Sequence, residues 1–271
     1  MSSGSSDIPA RRAPRRTTTK PLLNCQLEAE PRSNRPNTSP ETTSACTTPY
    51  AASSSLPASI RSGGQGLSGS ASNNGGIVID LGSLNSVTLT DPDSGLVRVG
   101  AGARWSQVAS ALSPHDLVIS SGDHGNVGVG GLATAGGIGW LVRTYGLTID
   151  HVRAATVVLP SGEVVRADTT EPDLFWAVRG AGSFVVTDFE IEAMRLPGTR
   201  VGQVMIEIDK EGSSLRRWSD FMADAPRELT MSGILTSSGS NLILAMTAVV
   251  AEQDPRVAAA VLAPLNEHRG T

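Results

Sequence analysis

Glycine placement is the feature of this chain that most restricts its fold. Of the 271 residues, 29 are glycine, and they gather at 63–76, 122–139 and 180–182, each time beside an apolar run. Glycine lacks a Cβ, so it lets main chain approach main chain, or a ligand, at distances other residues forbid. A flexible linker would not be punctuated by Val127, Val129, Leu132 and Ile138, as the second cluster is. The pattern predicts loops wrapped closely around a flat or extended ligand and carried on short strands.

The apolar runs supply those strands. "IVIDL" (77–81) and "SVTLT" (86–90) read as strands, the turn "DPDSG" follows, and "LVRVG" (96–100) returns as a hairpin partner. Trp105, Val108, Ala109 and Leu112 recur at i, i+3, i+4 and i+7, which predicts a helix with one apolar face. "VRAATVVL" (152–159) and "EVVRA" (163–167), joined by Pro160-Ser161-Gly162, form a second hairpin. "EPDLFWAV" (171–178) is a short helix and "SFVVTDFEIEAM" (183–194) one long strand. After Leu196-Pro197-Gly198 the pattern restarts: strand 201–208, helix 212–223, strands 229–236 and 240–251, helix 255–267. The expected division is a segment 1–56, a domain 57–198 and a partial α+β domain 199–271.

Composition sets the first segment apart. No Val, Phe or Trp precedes Val78, and Ser, Thr, Pro and Arg dominate residues 1–56. Such a chain buries too little apolar surface to offset its ordering entropy, so it reads as disordered. Its opening "MSSGSSDIPARRAPRRTTTK" has no apolar core and is not a secretory signal; an organelle presequence is the alternative. Cys25 and Cys46 form neither a metal spacing nor a disulfide framework, so a reducing, cytoplasmic setting is expected. A net charge of −4 gives no electrostatic footprint for nucleic acid. No apolar run approaches the ~20 residues that a membrane span needs.

The chemistry lies in the glycine loops. Arg61-Ser62-Gly63-Gly64-Gln65-Gly66 can fold into a nest whose N–H groups point at an anion. It has no P-loop lysine and it precedes a strand, so it is neither a Walker loop nor a Rossmann turn. Taken alone, a Gly-Gly turn is far more often just a turn. The second cluster, "SSGDHGNVGVGGLATAGGIGWLVRTYGLTIDH" (120–151), and the tight loop in "RGAGSFVVT" (179–187) complete the set.

In that order and spacing, "VGVGGLATAGGIGWLVRTYGLTIDH", "PDLFWAVRG" and "VVTDFEI" resemble the FAD-binding domain of the vanillyl-alcohol oxidase/p-cresol methylhydroxylase superfamily. Within it they most resemble the berberine-bridge-enzyme-like oxidoreductases. The resemblance covers 57–198, and 199–271 resembles only the beginning of that family's substrate domain. It implies an α+β fold: a PCMH-type FAD-binding domain, with a mixed or antiparallel sheet and flanking helices, followed by a truncated α+β substrate domain.

The resemblance also implies roles. The nest that begins at Arg61, with Ser62, Gly63, Gly64, Gln65 and Gly66, would hold the FAD pyrophosphate through main-chain amides. The family's usual Gly-Gly-His binds the flavin covalently through that histidine; here the position is Gln65, whose amide cannot form the bond. The family's second tether, a cysteine, aligns with His124. FAD is therefore expected to be non-covalent, with His124 as the alternative anchor. Gly122, Asp123, Gly125, Val127 and Gly128, with Gly131 in the same run, would line the flavin and pyrophosphate. Tyr145, Gly146 and Asp150 would close over the adenosine side or brace the second loop. Val185 and Val186 would place main chain near the ring. The bland alternatives are a core aromatic for Tyr145 and a turn cap for Asp150.

Three departures qualify the match. Residues 1–55 do not supply the family's first subdomain. The loop "GAGSF" (180–184) is shorter than the family's "GGGGNFG" type. The family's catalytic base and last FAD-contacting segment fall after residue 271, so no catalytic residue is assigned. The implied activity is an FAD-dependent oxidation of an alcohol, sugar or secondary metabolite by hydride transfer. The expected partners are a small-molecule substrate and molecular oxygen, with no nucleic acid and no membrane. The rival reading is a catalytically inactive truncated homologue that binds FAD weakly or not at all. A peptidoglycan-precursor reductase on the same fold is a third, disfavoured by "PDLFWAVRG".

Overall fold

The computed structural model describes residues 56–180, 184–239 and 241–266. The expectations for 1–55, Cys25 and Cys46 among them, and for most of the 180–184 loop lie outside the described residues.

The chain enters through β1 (Ala58–Arg61), which pairs in parallel with β2 (Ile77–Asp80), Arg61 opposite Asp80. The first glycine loop is therefore the connection between two parallel strands. Four residues, "ASIR", are too few for alternation to register, so β1 had no signature of its own.

A five-stranded antiparallel sheet forms the core. β3 (Val87–Asp91) and β4 (Leu96–Gly100) make the expected first hairpin, and helix α1 (Trp105–Leu112) follows. β5 (Leu117–Val118) leads into the glycine-rich stretch, which holds the short helices α2 (Val129–Ala133) and α3 (Val142–Tyr145). β6 (Val152–Val158) and β7 (Val164–Ala167) are the second hairpin, then come α4 (Pro172–Val178), β8 (Val185–Glu192) and β9 (Met194–Arg195). The spatial order is β3-β4-β8-β6-β7. Strand β8 thus lies at the centre, with Val97, Val99, Val157, Phe189 and Ile191 fully buried around it.

Two expectations need correction. Trp105, Val108 and Leu112 are buried as the periodicity predicts, but Ala109 is exposed, so the apolar face of α1 is narrower than the four positions implied. The single strand foreseen over 183–194 breaks at Ala193, whose N–H donates to the Gly95 carbonyl (2.8 Å). Met194–Arg195 then leave the main sheet and pair with β5.

The remaining residues form β10 (Thr199–Glu207), α5 (Ser213–Asp224), β11 (Leu229–Ser238), β12 (Asn241–Ala251) and α6 (Pro255–Asn266), with sheet order β10-β12-β11. A second, smaller core gathers Leu229, Ala248, Val250 and Ala258. Asp209 accepts the first-turn N–H groups of Ser213 (2.8 Å) and Ser214 (2.9 Å), which starts α5 and holds its carboxyl well below the usual range. The fold class is α+β, as expected. No described helix is long and apolar enough to cross a membrane.

Across β6, Arg166 forks onto Glu190 (2.6 and 2.8 Å) and donates through Nε to Asp168 (2.7 Å). The Thr170 main-chain N–H and hydroxyl, then Arg166, hold the Asp168 carboxyl down at about 2, against 3.8 for a free aspartate. Arg166 likewise lowers Glu190 from 4.5. Depressed carboxylates stabilise the fold fully above their unfolded values and cease to do so as pH falls through the folded ones. The melting temperature is expected to drop between roughly pH 4.5 and pH 2, and the double variant D168N/E190Q should flatten that drop. An unchanged slope in the double variant, measured by thermal scans across that range, would count against the account.

Candidate cofactor site

The two glycine loops meet. Ser62, leaving β1, donates its hydroxyl to the Ala101 carbonyl (2.6 Å) and accepts the Gly130 N–H (3.2 Å). This places Gly63 directly on Gly128: a Cβ on Gly63 would stand 2.3 Å from the Gly128 nitrogen, and one on Gly128 would stand 2.2 Å from the Gly63 nitrogen. No side chain fits between them, which is why both positions need glycine. Gly64 follows at φ +70°, the left-handed turn that a main-chain nest requires.

The second loop is fastened to the start of α1. The Val127 carbonyl accepts from Trp105 N–H (3.1 Å), the Gly125 carbonyl from Ser106 N–H (2.9 Å), and Val129 N–H donates to Ala103 (2.8 Å). His124 turns its Nδ1 back to accept the Asn126 N–H (3.3 Å). Asp123, His124 and Gly125 are exposed, and Gly131 sits exposed in the first turn of α2.

The other candidates occupy different ground. Arg61 forks onto Asp80 (3.1 and 2.7 Å), which ties β1 to β2 beside the first loop; burial raises the Asp80 carboxyl, but the Gly82 N–H and then Arg61 bring it below its ordinary value. Tyr145 donates its hydroxyl to the Arg195 carbonyl (2.7 Å). The Gly146 carbonyl accepts from the Ser120 hydroxyl (2.7 Å), and Asp150 accepts the Leu147 N–H (3.0 Å). All three spend their polar atoms within the protein, an arrangement that braces the segment feeding the second loop. Val185 and Val186 point their side chains into the core at the start of β8, where their main chain pairs with Val158 and Val157.

Sequence reading missed Arg104. It sits half-buried just before α1 and donates through Nη1 to the Gly63 carbonyl (3.3 Å) and to the Asn126 carbonyl. Gln65 donates to the same Asn126 carbonyl (3.1 Å). No spacing rule marks Arg104, because its partners come from two distant loops.

These residues fit a dinucleotide cofactor on three counts. The amides of Gly63, Gly64, Gln65 and Gly66, and those of Gly122, Asp123, His124 and Gly125, donate no hydrogen bond to any described residue. The facing glycines pack main chain on main chain, which brings the two sets of free amides next to each other and which any Cβ would force apart. Next to Gly122 opens an apolar cavity of about 270 Å³, walled by Ile119, Trp140 and Leu141 on one side and by Val201 and Val249 of the second sheet on the other. Unpartnered amides suit a diphosphate, and an apolar slot suits one end of a flat ring.

A nest of main-chain donors beside an apolar cavity, on this α+β framework, is the arrangement of a dinucleotide-binding domain. Comparison with known proteins specifies which. Residues 39–168 match the family of the FAD binding domain. Among characterised proteins, (R)-6-hydroxynicotine oxidase of Paenarthrobacter nicotinovorans is 41% identical over 151 residues, 55% of this chain and 33% of that protein. Xylooligosaccharide oxidase of Thermothelomyces thermophilus is 37% identical over 153 residues, 54% and 31% of the two chains. Among solved structures, 6-hydroxy-D-nicotine oxidase from Arthrobacter nicotinovorans superposes with TM-score 0.76 at 30% identity, covering 84% of this chain and 51% of that one. Berberine bridge enzyme from Eschscholzia californica does so with TM-score 0.76 at 25% identity, covering 84% and 48%. The chain carries a PCMH-type FAD-binding domain, its cofactor is FAD, and its homologues are FAD-linked oxidoreductases of the berberine-bridge-enzyme-like kind. It spans about a third of the length of these characterised relatives and about half of these solved structures.

Proposed function

We propose that this chain serves an FAD-dependent oxidation of a small molecule carrying an oxidisable C–H next to oxygen or nitrogen, with molecular oxygen as the final acceptor. The relatives' names, a hydroxynicotine oxidase, a xylooligosaccharide oxidase and berberine bridge enzyme, support the reaction type and point to sugars and nitrogenous secondary metabolites as candidate substrates. The observation that carries the reading is the contact of Gly63 with Gly128, which joins two sets of unpartnered amides into one anion cradle.

The residues divide the work. Gly63 to Gly66 and Gly122 to Gly125 bind the diphosphate with main-chain N–H groups, which need no side-chain charge to do so. Gly122 lies at the mouth of the apolar cavity, whose Ile119, Trp140 and Leu141 would exclude water from a ring edge. FAD, when bound, supplies the two-electron hydride acceptor; the protein positions it and sets its electrostatic surroundings. Among the described residues the cavity walls are apolar or neutral side chains, which suit binding and orientation of a ring. Gln65 and His124 contact protein atoms, in keeping with a flavin held without a covalent bond.

The test is a visible spectrum before and after acid precipitation. A yellow protein that releases its flavin to the supernatant is the expected result. Colourless protein that stays apo in excess FAD would overturn the reading, and flavin retained in the pellet would overturn the non-covalent assignment.

A further inference from the structure

Gln65 occupies the position where the resembling family has its flavin-linking histidine, yet here it reaches protein instead. Its Nε2 donates to the Asn126 carbonyl of the second loop, 3.1 Å away. Arg104 Nη1 donates to that same oxygen and to the Gly63 carbonyl of the first loop. A carbonyl oxygen has two lone pairs, so Asn126 can accept both donors at once. We propose that Arg104 and Gln65, converging on the Asn126 carbonyl, form a latch that fixes the separation of the two glycine loops and so sets the affinity of the site for the diphosphate of FAD. The proposal rests on the reading of that site given above.

Three features make this more than two incidental surface contacts. The latch is mounted on a rigid element: Arg104 N–H donates to the Gln107 side chain (2.8 Å), its carbonyl accepts from Gln107 and Val108 N–H, and its main chain bridges to Gly128. It also orients the nest. The peptide unit is planar and trans, so a Gly63 carbonyl held by Arg104 turns the Gly64 N–H the opposite way, away from the guanidinium side. Finally, no carboxylate sits close enough to neutralise Arg104. It forms no salt bridge among the described residues; its charge reaches Asp80 only through space, and the close partner of Asp80 is Arg61. Its attraction for a diphosphate held by the nest acts through space, across the Gly63 peptide, and is therefore open to screening by salt. Arg104 and Gln65 are thus positioning residues for the cofactor, and the amide at 65 fastens loop to loop where a histidine would fasten loop to flavin.

The test is titration of the flavin-free full chain with FAD, followed by flavin fluorescence, for Gln65→Ala, Arg104→Met and the double variant. Gln65→Ala is expected to raise Kd about 10-fold and Arg104→Met roughly 10- to 100-fold, in line with the loss of one neutral and one charge-assisted hydrogen bond. Because both side chains hold one oxygen, the double variant should fall well short of the product of the two effects. Arg104→Met should also flatten the dependence of Kd on salt, while Gln65→Ala leaves that slope unchanged. A merely structural role would lower the melting temperature of the apo-protein without moving the coupling or the salt slope. Should Arg104→Met fail to fold, Arg104→Lys and Gln65→Asn take its place, with smaller effects in the same directions. Singles within twofold of the parent Kd, or a double variant equal to their product, would overturn the latch and leave the FAD site standing. A parent protein that takes up no FAD would overturn the site and the latch together.

Discussion

Gly128→Val abolishes measurable FAD uptake and lowers the melting temperature of the apo-protein. The expectation follows from contact distances alone. A Cβ on Gly128 would lie 2.2 Å from the Gly63 nitrogen, 2.3 Å from Ser62 Oγ and 2.6 Å from Gly63 Cα. Two of those three are main-chain atoms that cannot swing aside, and valine adds two methyl groups beyond the Cβ. The loops must part, and with them go the Ser62 bonds to Ala101 and Gly130 and the Arg104 bond to Gly63. Overpacking of this kind costs about 1–3 kcal/mol, and the amide cradle loses its shape as well. Thermal scans and flavin titration check the two halves separately. Gly131→Ala makes the contrast: a Cβ there meets nothing within 4 Å, so the melting temperature should hold or rise. A Gly128→Val protein that binds FAD like its parent would show that the two loops do not act as one site.

Phe189→Ala should cost about 3–5 kcal/mol, a large share of the roughly 5–15 kcal/mol that holds a domain folded. Phe189 is fully buried (0% exposed) in β8, opposite Val99 of β4 and Ala155 of β6. Removing the ring leaves a cavity lined by strands that hydrogen bond to both neighbours and so cannot close on it. Urea unfolding is the measurement, read as a shift of the midpoint at constant slope. Phe189→Leu, which keeps most of the volume, should lose far less. If Phe189→Ala cost under about 1 kcal/mol, β8 would not be the centre of the core.

Both effects arise from contacts that the sequence encodes to different degrees. The hairpins β3-β4 and β6-β7 were legible because alternation and a Pro/Gly turn are local properties, written within a dozen residues. The class of cofactor was legible because glycine clusters beside apolar runs have few uses, and because several motifs stood in a family's order. The strand β1 was not, since four residues carry no period and its partner β2 lies across the glycine loop. The break at Ala193 was hidden for a related reason: the apolar alternation runs on, while the N–H of Ala193 is claimed by Gly95.

At the site, the sequence by itself determined the parts: two runs of Cβ-free main chain, and a glutamine where a flavin-bonding histidine would be expected. Only the tertiary structure decided how they meet. Gly63 rests on Gly128, and Gln65 and Arg104 share the Asn126 oxygen, contacts that span 61 residues for Gln65 and 22 for Arg104. Nothing local encodes such pairings. They are anchored at Ala101 and Ala103, whose carbonyls accept from Ser62 and Gly130 and from Val129, so packing, not pattern, chose the partners.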